Sequence, residues 1–211
     1  MTTGVVMFSG GVESVATLDW AVNNMDFDKL VCVHNLWKDM EISGSHKLNP
    51  NIQKICDYYD VPLRVYEYTD PLGDLYKQDG FDQLDYIHSS NHWLLTAMQI
   101  AKRYPEIKDF MWGVNCGLKT HGDDKGDYPF LPRSWQFTLA FDNYVHNMGA
   151  DGGQRLYPPA SHLTKLQMWG IIPDEVKPLV QSCGRPLTWD GQSPCGECHK
   201  CNEFNSMFIG E

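Results

Sequence analysis

Hydrophobic and polar positions follow two periods along the first half of the chain. Short apolar runs at residues 4–8, 30–34, 63–68 and 109–114 read as buried or half-buried strands. Between them apolar positions recur three and four apart. Val15, Leu18 and Val22 form one such face. Residues 49–60 predict a second helix, opening on Asn49 as N-cap with Pro50 in the first turn. An Asp- and Gly-rich loop follows over residues 69–90, and residues 92–104 then carry Leu94, Ala97, Met98 and Ala101 along a helical stripe. Strand and helix alternating four times predict βαβ units, hence an α/β fold with a parallel sheet covered by helices. Ligands in such sheets bind beyond the carboxyl ends of the strands. Ser9, Asn35, the start of the loop after Tyr68, and Asn115 all fall at such ends.

The second half is less regular. Residues 116–132 read as a polar loop, and residues 135–148 as a helix with Phe137, Ala140, Phe141, Tyr144 and Met148 on its inner face. Thr164 starts a further helix with Gln167 three residues on, the capping-box pattern. A long Gly- and Cys-containing tail closes the chain. With 211 residues, 42% of them hydrophobic, one sizeable core is expected. The organisation expected is a main domain over residues 1–180 with a small appendage over residues 181–211 packed on it.

Charge narrows the partners. Seventeen Lys and Arg stand against 27 Asp and Glu, a formal net charge of -10. Nucleic acid and anionic membrane both demand clustered cations, so neither is an expected partner. There is no 18-residue apolar stretch, and the first strand begins almost at Met1, leaving no room for a signal peptide. A soluble, cytoplasmic protein acting on a small molecule is the expectation.

The first candidate site is Ser9-Gly10-Gly11-Val12-Glu13-Ser14, where the first strand breaks into a helix. No lysine lies near Gly11, which rules out the lysine-bearing phosphate loop of the G-x-x-x-x-G-K-[ST] kind. Two readings remain. Free backbone N–H groups at a helix N-terminus suit an anion, and the glycines let it approach closely. Alternatively this is a plain strand–helix turn with Ser14 as a cap.

The second is the tail. Cys195, Cys198 and Cys201 are spaced by two residues each, with Cys183 upstream. Four soft thiolates suit tetrahedral Zn²⁺; an iron–sulfur cluster or unligated thiols are the other options. His199 is read as a bystander. The odd total of seven cysteines speaks against a disulfide framework. Cys32 and Cys56 read as small core residues, while Cys116 falls at the pocket edge. His34 and His162 read as structural.

The Ser-Gly-Gly-x-x-Ser loop after a first strand resembles the pyrophosphate loop of the ATP pyrophosphatase superfamily, with Glu13 where that superfamily usually has Asp. Together with the cysteine tail, the chain resembles the 7-cyano-7-deazaguanine synthase family over nearly its whole length. In "SSNHWLLTAMQIA", Asn91 matches the family's Arg-Asn segment and Ser90 replaces its arginine. "GVNCG" sits where the family has a glycine-rich fourth strand end; "YPFLPRSWQF" aligns Arg133, and "YPPASHLTK" aligns Lys165. The family's pocket aspartates are not all matched: Phe130 stands at one position and Lys119 near another, with Asp123, Asp124 and Asp127 close by.

The resemblance implies an adenine nucleotide alpha hydrolase-like (Rossmann-like) fold with a zinc-bound appendage. It implies an ATP-dependent ligase joining 7-carboxy-7-deazaguanine and ammonia into 7-cyano-7-deazaguanine through an adenylated intermediate. Ser9, Gly10, Gly11, Val12, Glu13, Ser14 and Asn91 would then bind the nucleotide. Lys165 and Arg133 would stabilise charge, Mg²⁺ would bridge phosphates, and Cys183, Cys195, Cys198 and Cys201 would hold Zn²⁺. Two rivals stand beside it: a relative that transfers sulfur or reduces an activated sulfate, and a non-catalytic zinc module. The oligomeric state is open, a homodimer being one arrangement.

Overall fold

The computed structural model describes residues 2–37, 49–68, 85–115, 130–148, 153–182, 196 and 199–208. Within them run β1 (Thr3–Met7), α1 (Val12–Asn24), β2 (Lys29–Trp37), α2 (Pro50–Tyr58), β3 (Leu63–Tyr68) and α3 (Asp85–Arg103). Then come β4 (Asp109–Trp112), α4 (Phe130–Asn147), β5 (Arg155–Tyr157), α5 (Lys165–Ile171), a 3-10 turn (Lys177–Leu179) and α6 (His199–Ser206).

The five strands form one parallel sheet in the order β3-β2-β1-β4-β5. The chain builds outward from β1 through β2 and β3, then crosses back to β4 on the other side. Strand order therefore reverses at β1/β4, where an α/β sheet opens a crevice at its carboxyl edge.

Alternation along β1 explains why helices must cover both faces. Val6 and Phe8 join Val12, Val15, Leu18, Ile52, Ile55, Met111 and Met168 in the core beneath α1, α2 and α5. Val5 and Met7 join Ala97, Ile100, Phe110, Phe141 and Val145 beneath α3 and α4. Such a strand, buried on both faces, must read as an unbroken apolar run, and "VVMF" does. Cys32 and Cys56 lie in the first core. Burial, reinforced by the neighbouring Cys56, pushes the Cys32 thiol well up, as suits an inert core residue.

The N-terminal elements follow the expected pattern closely. Asn49 Oδ1 accepts from Asn51 N at 2.9 Å ahead of Pro50, and Thr164 and Gln167 form a reciprocal capping box at α5. Several expectations are corrected. Val22 is 40% exposed, so the inner face of α1 runs through Val15, Leu18 and Ala21 instead. Met148 is 44% exposed, just beyond the end of α4, and the inner face there is Phe141 and Val145. Helix α3 begins at Asp85, within the stretch expected to be loop, and α4 begins at Phe130 rather than residue 135. Strand β5 was not anticipated; three residues are too few to show a period.

Candidate functional site: an anion loop beside a buried lysine

The loop between β1 and α1 lies at the reversal of strand order. Gly10 has φ +83°, a left-handed conformation that a side chain resists, and a Cβ there would come within 2.9 Å of Ile52 Cγ1. Gly11 differs. It is the extended N-cap of α1, with φ −81° and ψ 169°, and a Cβ on it would meet only ordinary contacts with Ser182 and Ser9. A Cβ at Gly11 is therefore compatible with the turn, and Gly10 is the residue on which the turn depends.

Ser14 organises the loop from within the helix. Its hydroxyl accepts from Ser9 N at 3.2 Å and Gly10 N at 3.0 Å, and donates to Gly11 O at 3.0 Å. Among the described residues, the N–H groups of Gly11 and Val12 are held by long 3.4 Å contacts, to the hydroxyls of Ser9 and Ser182 respectively. Bonds of that length are easily exchanged for a stronger acceptor. The loop thus presents weakly engaged donors at a helix N-terminus, the arrangement that suits an anion. Gln181 N donates to Gly10 O at 3.1 Å, and Asn49 Nδ2 donates to Gln181 Oε1 at 2.8 Å, bringing residues 181–182 against the loop.

A cation stands behind it. Lys165 is wholly buried, and its Nζ lies 2.9 Å from Glu13 Oε1 and 3.0 Å from Glu203 Oε1. Asn115, just past β4, donates from Nδ2 to the same Glu13 oxygen at 2.9 Å. Gly113 makes that approach feasible, because a Cβ on it would lie 2.4 Å from the Glu13 carbonyl carbon. The glycine after β4 lets the strand end press against the first turn of α1.

Within β2, His34 Nδ1 donates to Phe8 O at 2.8 Å, tying the second strand to the start of the loop. Burial lowers the pKa of this histidine, and the Phe8 carbonyl partly offsets that. Nearby, Thr96 Oγ1 lies 3.1 Å from Asn35 Oδ1, while the buried Asn35 Nδ2 has no hydrogen-bond partner among the described residues.

The structure brings together Ser9, Gly10, Gly11, Val12, Glu13, Ser14 and Lys165. Asn91 lies in α3 and Arg133 in the first turns of α4, but their side chains are outside the described residues. Cys183, Cys195 and Cys198 also fall outside, as do Cys116, Lys119, Asp123, Asp124 and Asp127. Cys201 is described and buried in α6. Among the described residues no group of three or more His, Cys, Asp or Glu side chains is placed to hold a metal, and no helix is long and apolar enough to cross a membrane. Sequence reasoning missed Glu203 and Ser182, and marked Gly113 only as the first residue of the GVNCG segment without its packing role; nothing near Glu203 in sequence signals its place.

No protein-family model and no curated protein matches the chain. Among solved structures it is similar to a 4-thiouridine synthetase–RNA complex with bound ATP, at 11% identity and a TM-score of 0.46. That similarity covers 98% of this chain and 49% of the synthetase, so the chain spans about half the length of the structure it matches.

Proposed function

We propose that this chain is an ATP-dependent adenylating enzyme whose β1–α1 loop holds pyrophosphate. The observation that carries the reading is the loop itself: weakly engaged N–H donors of Gly11 and Val12, at the reversal of strand order, with the buried Lys165 linked through Glu13. Fixed dipoles and a desolvated cation suit the negative charge that builds on a departing pyrophosphate. Lys165, Glu13 and Glu203 together carry one net negative charge, so a polyphosphate beside them calls for a divalent counter-ion. Mg²⁺ fits that need and would supply charge neutralisation between phosphates.

The acceptor in this reading is 7-carboxy-7-deazaguanine, proposed from the motifs that resemble the 7-cyano-7-deazaguanine synthase family. Its carboxylate oxygen attacks the α-phosphorus of ATP, the bond to pyrophosphate breaks, and an acyl adenylate forms. Ammonia adds to the acyl carbon and AMP leaves with the carbon–oxygen bond, giving the amide after loss of a proton. A second adenylation, on the amide oxygen, lets AMP depart again as two protons are lost from nitrogen, leaving the nitrile. Arg133 is proposed as a second charge-stabilising group and Asn91 as a nucleotide contact. The tail cysteines are proposed to hold Zn²⁺ through Cys183, Cys195, Cys198 and Cys201. Four thiolates fill a tetrahedral site, so that metal would order the tail and take no part in the chemistry.

The test is product analysis with ATP, Mg²⁺, 7-carboxy-7-deazaguanine and ammonium. AMP, pyrophosphate and a nitrile product are expected. ADP and phosphate in their place would reject the mechanism, and AMP without nitrile would keep the loop assignment and reject the acceptor.

A further inference from the structure

We infer that Glu203 is a positioning residue for Lys165, so that the C-terminal helix α6 completes the phosphate site. This rests on the adenylation reading and extends it to a side chain that no motif marks.

Lys165 is the first residue of α5, Glu13 belongs to the first turn of α1, and Glu203 belongs to α6. Three helices therefore converge on one ammonium. With a single carboxylate 2.9 Å away, a lysine side chain could still swing about that contact. A second carboxylate at 3.0 Å, arriving from a different helix, fixes the nitrogen between two points. Both contacts are ion pairs by distance without hydrogen-bond geometry, so among the described residues the N–H donors of the ammonium are not committed and suit a phosphate oxygen. The Glu203 side chain is only 11% exposed, so water screens the pair little.

What holds Glu203 in place is not the ion pair alone. Phe204 packs edge-on against Trp169 of α5 with ring centroids 5.1 Å apart, and Phe208 lies against both rings. Met207 is fully buried and Cys201 nearly so. Helix α6 is thus docked on α5 by apolar and aromatic contacts that flank Glu203. Removing the charge of Glu203 should leave that docking intact while releasing Lys165. This separation makes the role testable.

The experiment is a double-mutant cycle on the full chain, Glu203→Gln against Lys165→Met. It is read as ATP affinity by calorimetry, as kcat for AMP release with 7-carboxy-7-deazaguanine and ammonium, and as melting temperature. Glu203→Gln should lower kcat by about tenfold or more while ATP affinity stays within about threefold. Glu203→Asp should recover part of the loss, and it carries the comparison if Glu203→Gln folds poorly. In the Lys165→Met background, Glu203→Gln should have no further effect on kcat, as expected for residues acting as a unit. A wild-type kcat in Glu203→Gln overturns the inference, and so do independent, multiplying losses. Parallel falls in kcat, ATP affinity and melting temperature would mark a merely structural residue and overturn it too. If the wild-type chain binds ATP and releases no AMP, the adenylation reading fails and the positioning role fails with it. The thermal cycle would then still report separately whether the two side chains are coupled.

Discussion

The glycine loop draws its groups from six consecutive residues, Ser9 to Ser14, whereas the cation behind it is held by three helices far apart in the chain. In the loop, one side chain, Ser14, makes three short-range hydrogen bonds to backbone within five residues. At Lys165, the partners are separated by 152 positions on one side and 38 on the other, as the numbers of Glu13, Lys165 and Glu203 give directly. A local device survives as long as its own turn is intact. A convergent one exists only when the whole fold is assembled, and it carries buried charge. The two regions should therefore respond very differently to substitution.

The largest effect is expected at the convergent end. Lys165→Met removes the cation and leaves Glu13 and Glu203 facing each other with 19% and 11% side-chain exposure. Breaking a buried pair by deleting one partner costs about 3–5 kcal/mol. Urea denaturation should show a loss in that range. A loss below about 1 kcal/mol would mean that the carboxylates relax into water, and would erase the contrast with the loop.

Next come the two glycines, which sharpen the comparison inside the loop. Gly10→Ala forces a side chain to φ +83° and against Ile52, and should destabilise by about 2 kcal/mol. Gly11→Ala meets no such barrier and should stay within about 0.5 kcal/mol of wild type. Any fall in AMP release by Gly11→Ala would then report crowding of the ligand and not of the fold. Equal stability losses at both positions would show that the loop's backbone differs from the one described.

These contrasts follow what was legible in the chain. The loop could be found because its signal is contiguous: an apolar run, two glycines and a serine at the start of a helical period. The parallel sheet was legible for the same reason, since Val5 to Phe8 and Leu63 to Tyr68 carry their strand character locally. Which glycine bears the left-handed turn was not legible, because that depends on where Ile52 of α2 packs. Lys165 was singled out only through a family resemblance, and nothing near it in sequence announces burial. Glu203 lies in a polar stretch, "CNEFNS", whose inward side appears only once Phe204 and Met207 dock on α5. Val22 and Met148 failed for the opposite reason: both fit the helical period yet lie where the helix face has turned past its core.

The smallest effect concerns the join between loop and sheet, and it is a matter of pH. His34 donates from Nδ1 to Phe8 O, and burial lowers its folded-state pKa beneath the ordinary value of about 6.5. Above that value both folded and unfolded chains carry a neutral imidazole, and the full contribution is present. As pH falls below it, the unfolded chain takes up a proton before the folded one, so stability declines towards the lowered pKa. Between about pH 7.5 and pH 5.5 the wild type should therefore lose more stability than His34→Gln, which has nothing to titrate there; the difference should be under about 1 kcal/mol. Identical pH slopes for the two proteins would show that the imidazole is solvated in the folded state, and that the loop is tied to β2 less firmly than Lys165 is tied to its carboxylates. A steeper slope for His34→Gln would reverse the sign and place the protonated form inside the fold.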